Sequence, residues 1–388
     1  MKTYKYLYQK MLDENVIRQA YKKVRKGKTK RAEIKYIDDH LDEEVYRMKL
    51  MIENTKPCEV ERPDLAYKPI YHKPKIINEH GKQRTIYMPE IHEQWLHHII
   101  IYVLGPIILS TSYPYACGSY PGRGAHYGKR IIERWLKNRR DTRYFAKLDI
   151  RHFYDSIRHK VLFRELEKRI KDDWFLYIIK LCLSQFKKGL PLGFYISQWL
   201  ANYLLEPVDK MVSELCSNYM RYMDDIIFFG SNVDRMKTVV DRISEMFGYR
   251  FYLRLKGNFQ VTKFDYNGRG RPLDFMGFVF YRHKTIMRKS IMISTTRLVR
   301  KIDKKYDKGY RVFRKWVSGL VSYMGWFTHT DSYKCYLKYV KPFVKVGRLK
   351  RIISAMDRRY NRDRMERNKI LREAGFNFTN RARTLYAI

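Results

Sequence analysis

The spacing of apolar positions along this 388-residue chain changes several times, and each change marks an element. Leu7, Met11, Val16 and Ala20 recur at helical intervals, so residues 1–55 are expected to open the chain with helices. A Lys/Arg-rich loop is expected from Lys22 to Arg31, and Ile37–Ile52 resumes helical spacing with mixed charge on a solvated face. Between Tyr67 and Met88 the period falls to two. Lys73–Ile77, a turn at Asn78–Gly81 and a second run over Lys82–Pro89 predict a β-hairpin. His92–Ile108 predicts a buried amphipathic helix, on which the adjacent His97 and His98 point to different faces. That suits packing better than joint metal binding. A glycine-rich turn, Ser119–His126, then opens a helix running to about Asn138.

Tyr144–Asp149 reads as an apolar strand that delivers Asp149 at its end, and Asp155 is placed to N-cap the helix that follows. Residues 156–187 are mostly helical in pattern, and Gly189–Gly193 breaks the pattern. Ile196, Leu200, Leu204, Val208 and Met211 then form one helical stripe, expected to pack behind the next stretch. That stretch is Arg221–Gly230, where an aromatic-led run and an apolar run flank Met223-Asp224-Asp225, the predicted turn of a tight hairpin. Beyond it the pattern predicts a helix over Val233–Phe247, a strand pair over Phe251–Phe264 and a strand over Leu273–Phe280. From Ser290 onward it predicts long basic helices, including Arg311–Phe327 and Gly347–Leu371.

Charge changes the picture. Eighty Lys and Arg against forty Asp and Glu leave a net charge of +40, and aromatic residues make up 15% of the chain. A polyanionic partner follows, nucleic acid rather than a membrane surface. The five cysteines are scattered, with no Cys-x-x-Cys pair, which suits neither a disulfide framework nor a zinc site. No run approaches membrane-spanning length and the N-terminus carries no signal-peptide pattern, so a cytoplasmic protein is expected.

Within that frame the acids stand out. Two adjacent carboxylates in a half-buried hairpin tip repel each other, and a divalent cation offsets that repulsion. Asp149 supplies the third acid that a two-metal phosphoryl-transfer site needs, and oxygen-only ligands suit Mg²⁺ or Mn²⁺. A solvated Asp-Asp turn is the alternative for the pair taken alone. Lys82 and Arg84 project from one face of their strand and could grip a triphosphate, although a basic edge also guards against aggregation. Arg123 sits in a glycine turn whose spacing is not a dinucleotide fingerprint, so it reads as a backbone or template contact.

In order, the chain presents a basic hairpin, a Gly-Arg-Gly turn, a strand ending in Asp, a Gly-x-x-x-Ser-Gln helix, a Tyr-Met-Asp-Asp hairpin and a strand ending in Phe-Met-Gly-Phe. Over roughly Tyr67 to Tyr339 this resembles a reverse transcriptase. The resemblance implies an α+β right-hand polymerase, whose palm is an antiparallel sheet backed by helices. Residues 1–66 would be a helical lead-in, 67–142 the fingers, 143–289 the palm, and 290–388 a helical thumb with a basic tail. Asp149, Asp224 and Asp225 would be the catalytic residues, and two Mg²⁺ ions (or Mn²⁺) would sit on them and beside Ile150. Lys82, Arg84, Tyr154, Leu192, Gly193, Ser197, Gln198 and Lys256 would form the nucleotide pocket. Arg123, Tyr222, Met223, Arg348, Lys350 and Arg351 would contact nucleic acid.

Most reverse transcriptases carry Gln-Gly-x-x-x-Ser-Pro in the pocket loop; here it reads Leu192-Gly193-Phe-Tyr-Ile-Ser197-Gln198. That departure, with Asn258-Phe-Gln-Val and Met324-Gly-Trp-Phe-Thr-His, is similar to the diversity-generating retroelement group. The resemblance implies error-prone cDNA synthesis on a template-repeat RNA from a nucleic-acid primer and deoxynucleoside triphosphates. It also implies a small basic accessory protein, oligomeric in assembly, in a bacterial or phage-infected cell. A defence-associated or retron-like enzyme, or a non-catalytic RNA-binding scaffold of polymerase shape, are the alternatives. No zinc-binding or His-Asn-His nuclease segment follows the thumb, so target cleavage is expected from elsewhere.

Overall fold

A computed structural model describes residues 2–58, 60–79, 82–257, 259–265, 268–308 and 312–373. The chain divides into two compact units. The first comprises residues 1–128 and 140–262, the second residues 129–139 and 263–388.

The first unit is built on a five-stranded sheet. Its strands, with the peripheral hairpin counted first, follow β1 (Lys75–Glu79) and β2 (Lys82–Ile86). They are β3 (Ala116–Cys117), β4 (Tyr144–Asp149), β5 (Tyr219–Tyr222), β6 (Asp225–Gly230) and β7 (Val261–Lys263), in the spatial order β3-β5-β6-β4-β7. The pairs β5·β6 and β6·β4 are antiparallel, and the two-residue β3 adds in parallel to β5. In β6 every residue from Ile226 to Phe229 is buried. Because side chains alternate across a strand, Ile226 and Phe228 face the main core while Ile227 and Phe229 face the opposite side. The helical residues Leu200, Leu204, Val208, Val212, Val239 and Ile243 fill the same core. Helix Ile91–Leu109 contributes most of its length to this core, with Trp95, Leu96, Ile99, Ile100, Leu104 and Ile108 buried, while Gln94, His98, Tyr102 and Pro106, four residues apart, form its less buried stripe.

Several elements depart from the sequence pattern, each for a local reason. The basic run starts inside helix Glu14–Arg25, so Lys22 to Arg25 are helical and only the residues after them are loop. The Ile37–Ile52 stripe is two helices, Ala32–Asp39 and Leu41–Glu53, parted at His40. The stripe from Ile196 to Met211 likewise breaks at Leu205 into Tyr195–Leu204 and Glu206–Leu215, with Pro207 in the first turn of the second, where its missing N–H costs nothing. Asp155 caps nothing. It lies within the short helix Phe153–Ser156, and the next helix, His159–Glu167, takes Arg158 at its N-cap without a side-chain bond. The expected strand pair over Phe251–Phe264 is instead a π-helical turn, Met246–Phe251, then a single bridge from Leu255 to Ile150, then β7.

The second unit carries a three-stranded antiparallel sheet, β8 (Leu273–Phe275), β9 (Phe278–Phe280) and β10 (Thr285–Met287). The single strand expected over Leu273–Phe280 is therefore a hairpin. Met276 and Gly277 both take positive φ, and a Cβ on Gly277 would lie 2.5 Å from the Trp326 ring. Helices Lys289–Asp307, Arg314–Thr328, Tyr333–Tyr339 and Val346–Glu373 complete the unit around Val299, Val317, Leu320, Val340 and Leu349. No helix among the described residues is long and apolar enough to cross a membrane.

Candidate active site

Register brings the acids together. Asp149, the last residue of β4, is the cross-strand partner of Asp225, the first residue of β6, and Asp224 precedes it in the β5–β6 turn. Like charges placed opposite each other across strands are unfavourable, and here both strands are also desolvated. Burial first, then the Asp149 charge, raises the Asp224 carboxyl above its ordinary range. Burial, with the charges of Asp224 and Asp149 added, lifts Asp225 to about 6 against the pull of Lys147.

Lys256 answers part of this charge. Its Nζ donates to Asp149 Oδ2 at 2.5 Å, and its backbone N–H donates to the Asp149 carbonyl at 2.9 Å. Asp149 Oδ1 is buried and without a hydrogen-bond partner. The bridge that carries Lys256 pairs Leu255 with Ile150. Its bonds run through Asp149, Arg151, Arg254 and Lys256, which leaves the N–H and C=O of Ile150 out of that ladder. Among the described residues, no three His, Cys, Asp or Glu side chains are gathered tightly enough to hold an ion. The donor set nonetheless fits a hard divalent cation. It is all oxygen, burial and mutual repulsion push the carboxyls of Asp224 and Asp225 toward protonation, and Asp149 Oδ1 is buried without a partner.

The turn itself is set by a buried ion pair that sequence reading missed. Arg221, 1% exposed, donates through Nε and Nη2 to both oxygens of Asp209 at 2.7 and 2.6 Å. Its Nη1 reaches Asn202 Oδ1 at 2.7 Å and the Met223 carbonyl at 2.9 Å. Tyr219 donates its hydroxyl to Asp209 at 2.6 Å. Thus Arg221 ties the helix Glu206–Leu215 to the backbone just before Asp224. The available signal was an arginine inside a strand flanked by buried residues, where a charge requires a partner. Met223 has a φ of 56°, and Gly118, at φ 88° where a larger side chain is strained, would bring a Cβ within 2.8 Å of the Met223 Sδ.

The other predicted residues fall as follows. Tyr154 is half-buried beside this site. Burial raises its phenol pKa first, followed by the Asp224 charge, with Arg84 opposing. Arg84 therefore also lies within electrostatic reach of Asp224. It pairs across the hairpin with Ile77, and Lys82 pairs with Glu79; the Lys82 side chain and the tip lie outside the described residues. The Tyr87 N–H donates to the Leu192 carbonyl at 2.8 Å, and a Cβ on Gly193 would come within 1.9 Å of the Tyr87 oxygen. That close approach, at φ 108°, explains the glycine. Ser197 is buried with an unpartnered hydroxyl, and Gln198 accepts from Ser119 at 2.8 Å. Tyr222 closes β5. Arg123 directs Nη1 inward, to Ser112 at 2.9 Å and the Tyr113 carbonyl at 3.0 Å. Arg348, Lys350 and Arg351 are exposed on helix Val346–Glu373 of the second unit, and Asn258 lies outside the described residues.

A strand-borne acid beside a two-acid hairpin, on a sheet backed by helices, is the palm of a right-hand polymerase in an α+β fold. Residues 71–266, just over half the chain, match the family described as "Reverse transcriptase (RNA-dependent DNA polymerase)". The chain belongs to the reverse transcriptase family. It is 23% identical over 151 residues to Protein YkfC of Escherichia coli, covering 36% of this chain and 40% of that protein. It is 30% identical over 112 residues to an uncharacterised 91 kDa protein in a cob intron of Schizosaccharomyces pombe, covering 26% of this chain and 14% of that protein. Among solved structures it is similar to apo telomerase from Candida tropicalis truncated from its C-terminal domain (TM-score 0.43, 18% identity, 56% of this chain and 55% of that one). A telomerase from Candida albicans in complex with a fragment of telomeric RNA is similar at TM-score 0.43 and 12% identity, over 79% of this chain and 61% of that one. The chain thus spans less than two thirds of the length of each of these proteins.

Proposed function

We propose that the chain is an RNA-directed DNA polymerase whose centre is Asp149, Asp224 and Asp225. The observation that carries this reading is the register pairing of Asp149 with Asp225, which sets three carboxylates together at adjacent strand ends and their turn, with one buried oxygen unpartnered. Those three side chains, with the backbone at Ile150, would hold Mg²⁺ (or Mn²⁺). When bound, such ions lower the pKa of a primer 3′-hydroxyl and neutralise charge on the reacting phosphate. The chain's own groups do the rest. Lys256, held on Asp149, and Arg84 place positive charge where triphosphate oxygens need it. Arg221 fixes the turn that aims Asp224, and Tyr154 presents an aromatic wall instead of a carboxylate that would accept a ribose 2′-hydroxyl.

The finer reading is error-prone cDNA synthesis on a template-repeat RNA, supported by Leu192 in place of the commoner Gln. The substrates would be template RNA, a primer and deoxynucleoside triphosphates, with a small basic accessory protein and an oligomeric assembly in the cytoplasm. Residues 67–142 would serve as fingers, 143–289 as palm and 290–388 as thumb and tail. The test is primer extension on an RNA template with deoxynucleotides and Mg²⁺. Asp224→Asn should retain RNA binding and lose incorporation by orders of magnitude; full extension by that variant refutes the assignment.

A further inference from the structure

Away from the carboxylates, the first unit carries an open cleft of about 750 Å³ between helices His159–Glu167 and Asp173–Leu183 and the turn after the π-helix. That size falls within the roughly 300–1,000 Å³ of clefts that take small organic groups. Its lining includes the cations Arg158, Lys160, Arg164 and Lys180, the ring of Tyr252 and the ring of Phe163. One carboxylate, Glu167, shares the wall and sits 3.5 Å from Lys180. Arg158 and Lys160 have no ion-pair partner among the described residues.

Tyr252 is the unusual member. It closes the π-helical turn Met246–Phe251 in the left-handed region, at φ 55° and ψ 35°. A chain leaving a helix through that conformation ordinarily uses glycine or asparagine, because a larger side chain is strained there. Core burial does not compensate the strain, since Tyr252 is 50% exposed. Its ring instead lines the cleft with the Arg158 guanidinium 4.3 Å from its centroid. Arg164 holds the turn in place by donating to the Arg250 carbonyl at 2.6 Å, and Lys180 lies 5.1 Å over the Phe163 ring. Strained backbone and π-helical turns concentrate at functional sites. Arg164 and Lys180 are ion-paired, with Glu165 and Glu167, while Arg158 and Lys160 face the cleft beside the rings; aromatic faces interleaved with cations are the means by which a protein holds unpaired bases and their phosphates.

We infer that this cleft is a second nucleic-acid site, which stacks a base of single-stranded RNA on Tyr252 against Arg158 and seats the adjoining phosphates on Lys160 and Arg164. The inference rests on the proposed function only for the kind of partner, not for catalysis. The site would hold a stretch of RNA that is not paired with the growing strand, keeping the transcript on the enzyme while the catalytic centre moves.

The experiment uses the full chain and a 5-iodouridine-substituted single-stranded oligoribonucleotide, cross-linked by light and mapped by mass spectrometry. The wild-type protein should give a cross-link at Tyr252. Tyr252→Gly relieves the backbone strain, so it should melt no lower than the parent, yet bind the oligonucleotide at least about fivefold more weakly. Tyr252→Phe should keep the affinity, and Arg158→Ala should weaken it. Cross-links elsewhere with none at Tyr252, or parental affinity in the glycine variant, overturn the inference. A wild-type protein that cross-links at Tyr252 but never extends a primer instead overturns the polymerase reading alone.

Discussion

Cutting the Arg221–Asp209 pair tests how the turn before Asp224 is held. In Asp209→Leu the guanidinium keeps only Asn202 and the Met223 carbonyl, and the Tyr219 hydroxyl loses its acceptor. Breaking a buried pair by removing one partner costs about 3–5 kcal/mol, and at roughly 2–4 °C per kcal/mol for a unit of this size the melting point should fall by about 6–20 °C. Replacing Arg221, Asp209 and Tyr219 together by apolar groups of similar volume is a different perturbation, which leaves Asn202 Oδ1 and the Met223 carbonyl without this donor. Tyr219→Phe, Asp209→Leu and Arg221→Met together leave no buried charge, so most of the stability should return. The bond from Arg221 to the Met223 carbonyl does not return, and the turn that carries Asp224 is then free to shift. Thermal melts followed by circular dichroism, with primer extension at a temperature where all variants are folded, separate the two effects. The triple variant should regain melting point but not rate. If it regains both, Arg221 balances charge and does not position the turn. If Asp209→Leu melts within a degree or two of the parent, the pair is not holding the structure at all.

Acid should destabilise the first unit through His97. Burial, with the charges of His98 and His72 added, lowers its pKa from 6.5 to about 3, so the fold binds it neutral. The stability this gives is complete above pH 6.5 and is lost as pH falls below it. About 2 kcal/mol should be gone by pH 5, and urea melts of His97→Leu should show a flatter acid limb. Tyr154→Val should raise ribonucleotide incorporation relative to deoxynucleotide, measured by competitive single-nucleotide extension; an unchanged ratio removes Tyr154 as the gate. Leu192→Gln should remain active and misincorporate less, chiefly opposite template adenine, by a factor within roughly 10–200 if one pocket contact is restored. An error spectrum matching the parent's, read by sequencing the cDNA, would reduce Leu192 to packing under Gly193.

What the sequence determined on its own was whatever depends on neighbours along the chain. The apolar run of β4 ending in Asp149, and the Met-Asp-Asp turn between two apolar strands, were legible because strand period and turn chemistry are local. The three acids could be named, and the net charge of +40 pointed to a polyanionic partner. What needed the tertiary structure was every choice made by a distant partner. The register that sets Asp149 against Asp225, and the Lys256 ammonium on Asp149 from 107 residues away, follow from packing that no window of sequence contains. Asp155 has the chemistry of a cap, but it falls inside the first turn of the short helix Phe153–Ser156, and the next helix takes Arg158 at its N-cap. The stripe from Ile196 to Met211 keeps helical spacing across a real break, because both helices bury the same side against one core. Arg221 looks like surface charge in a basic chain. Only the fold, by closing Asp209, Asn202 and Tyr219 around it, makes it the buried cation that sets the turn before Asp224, since a charge out of water stays only where its partners are already in place.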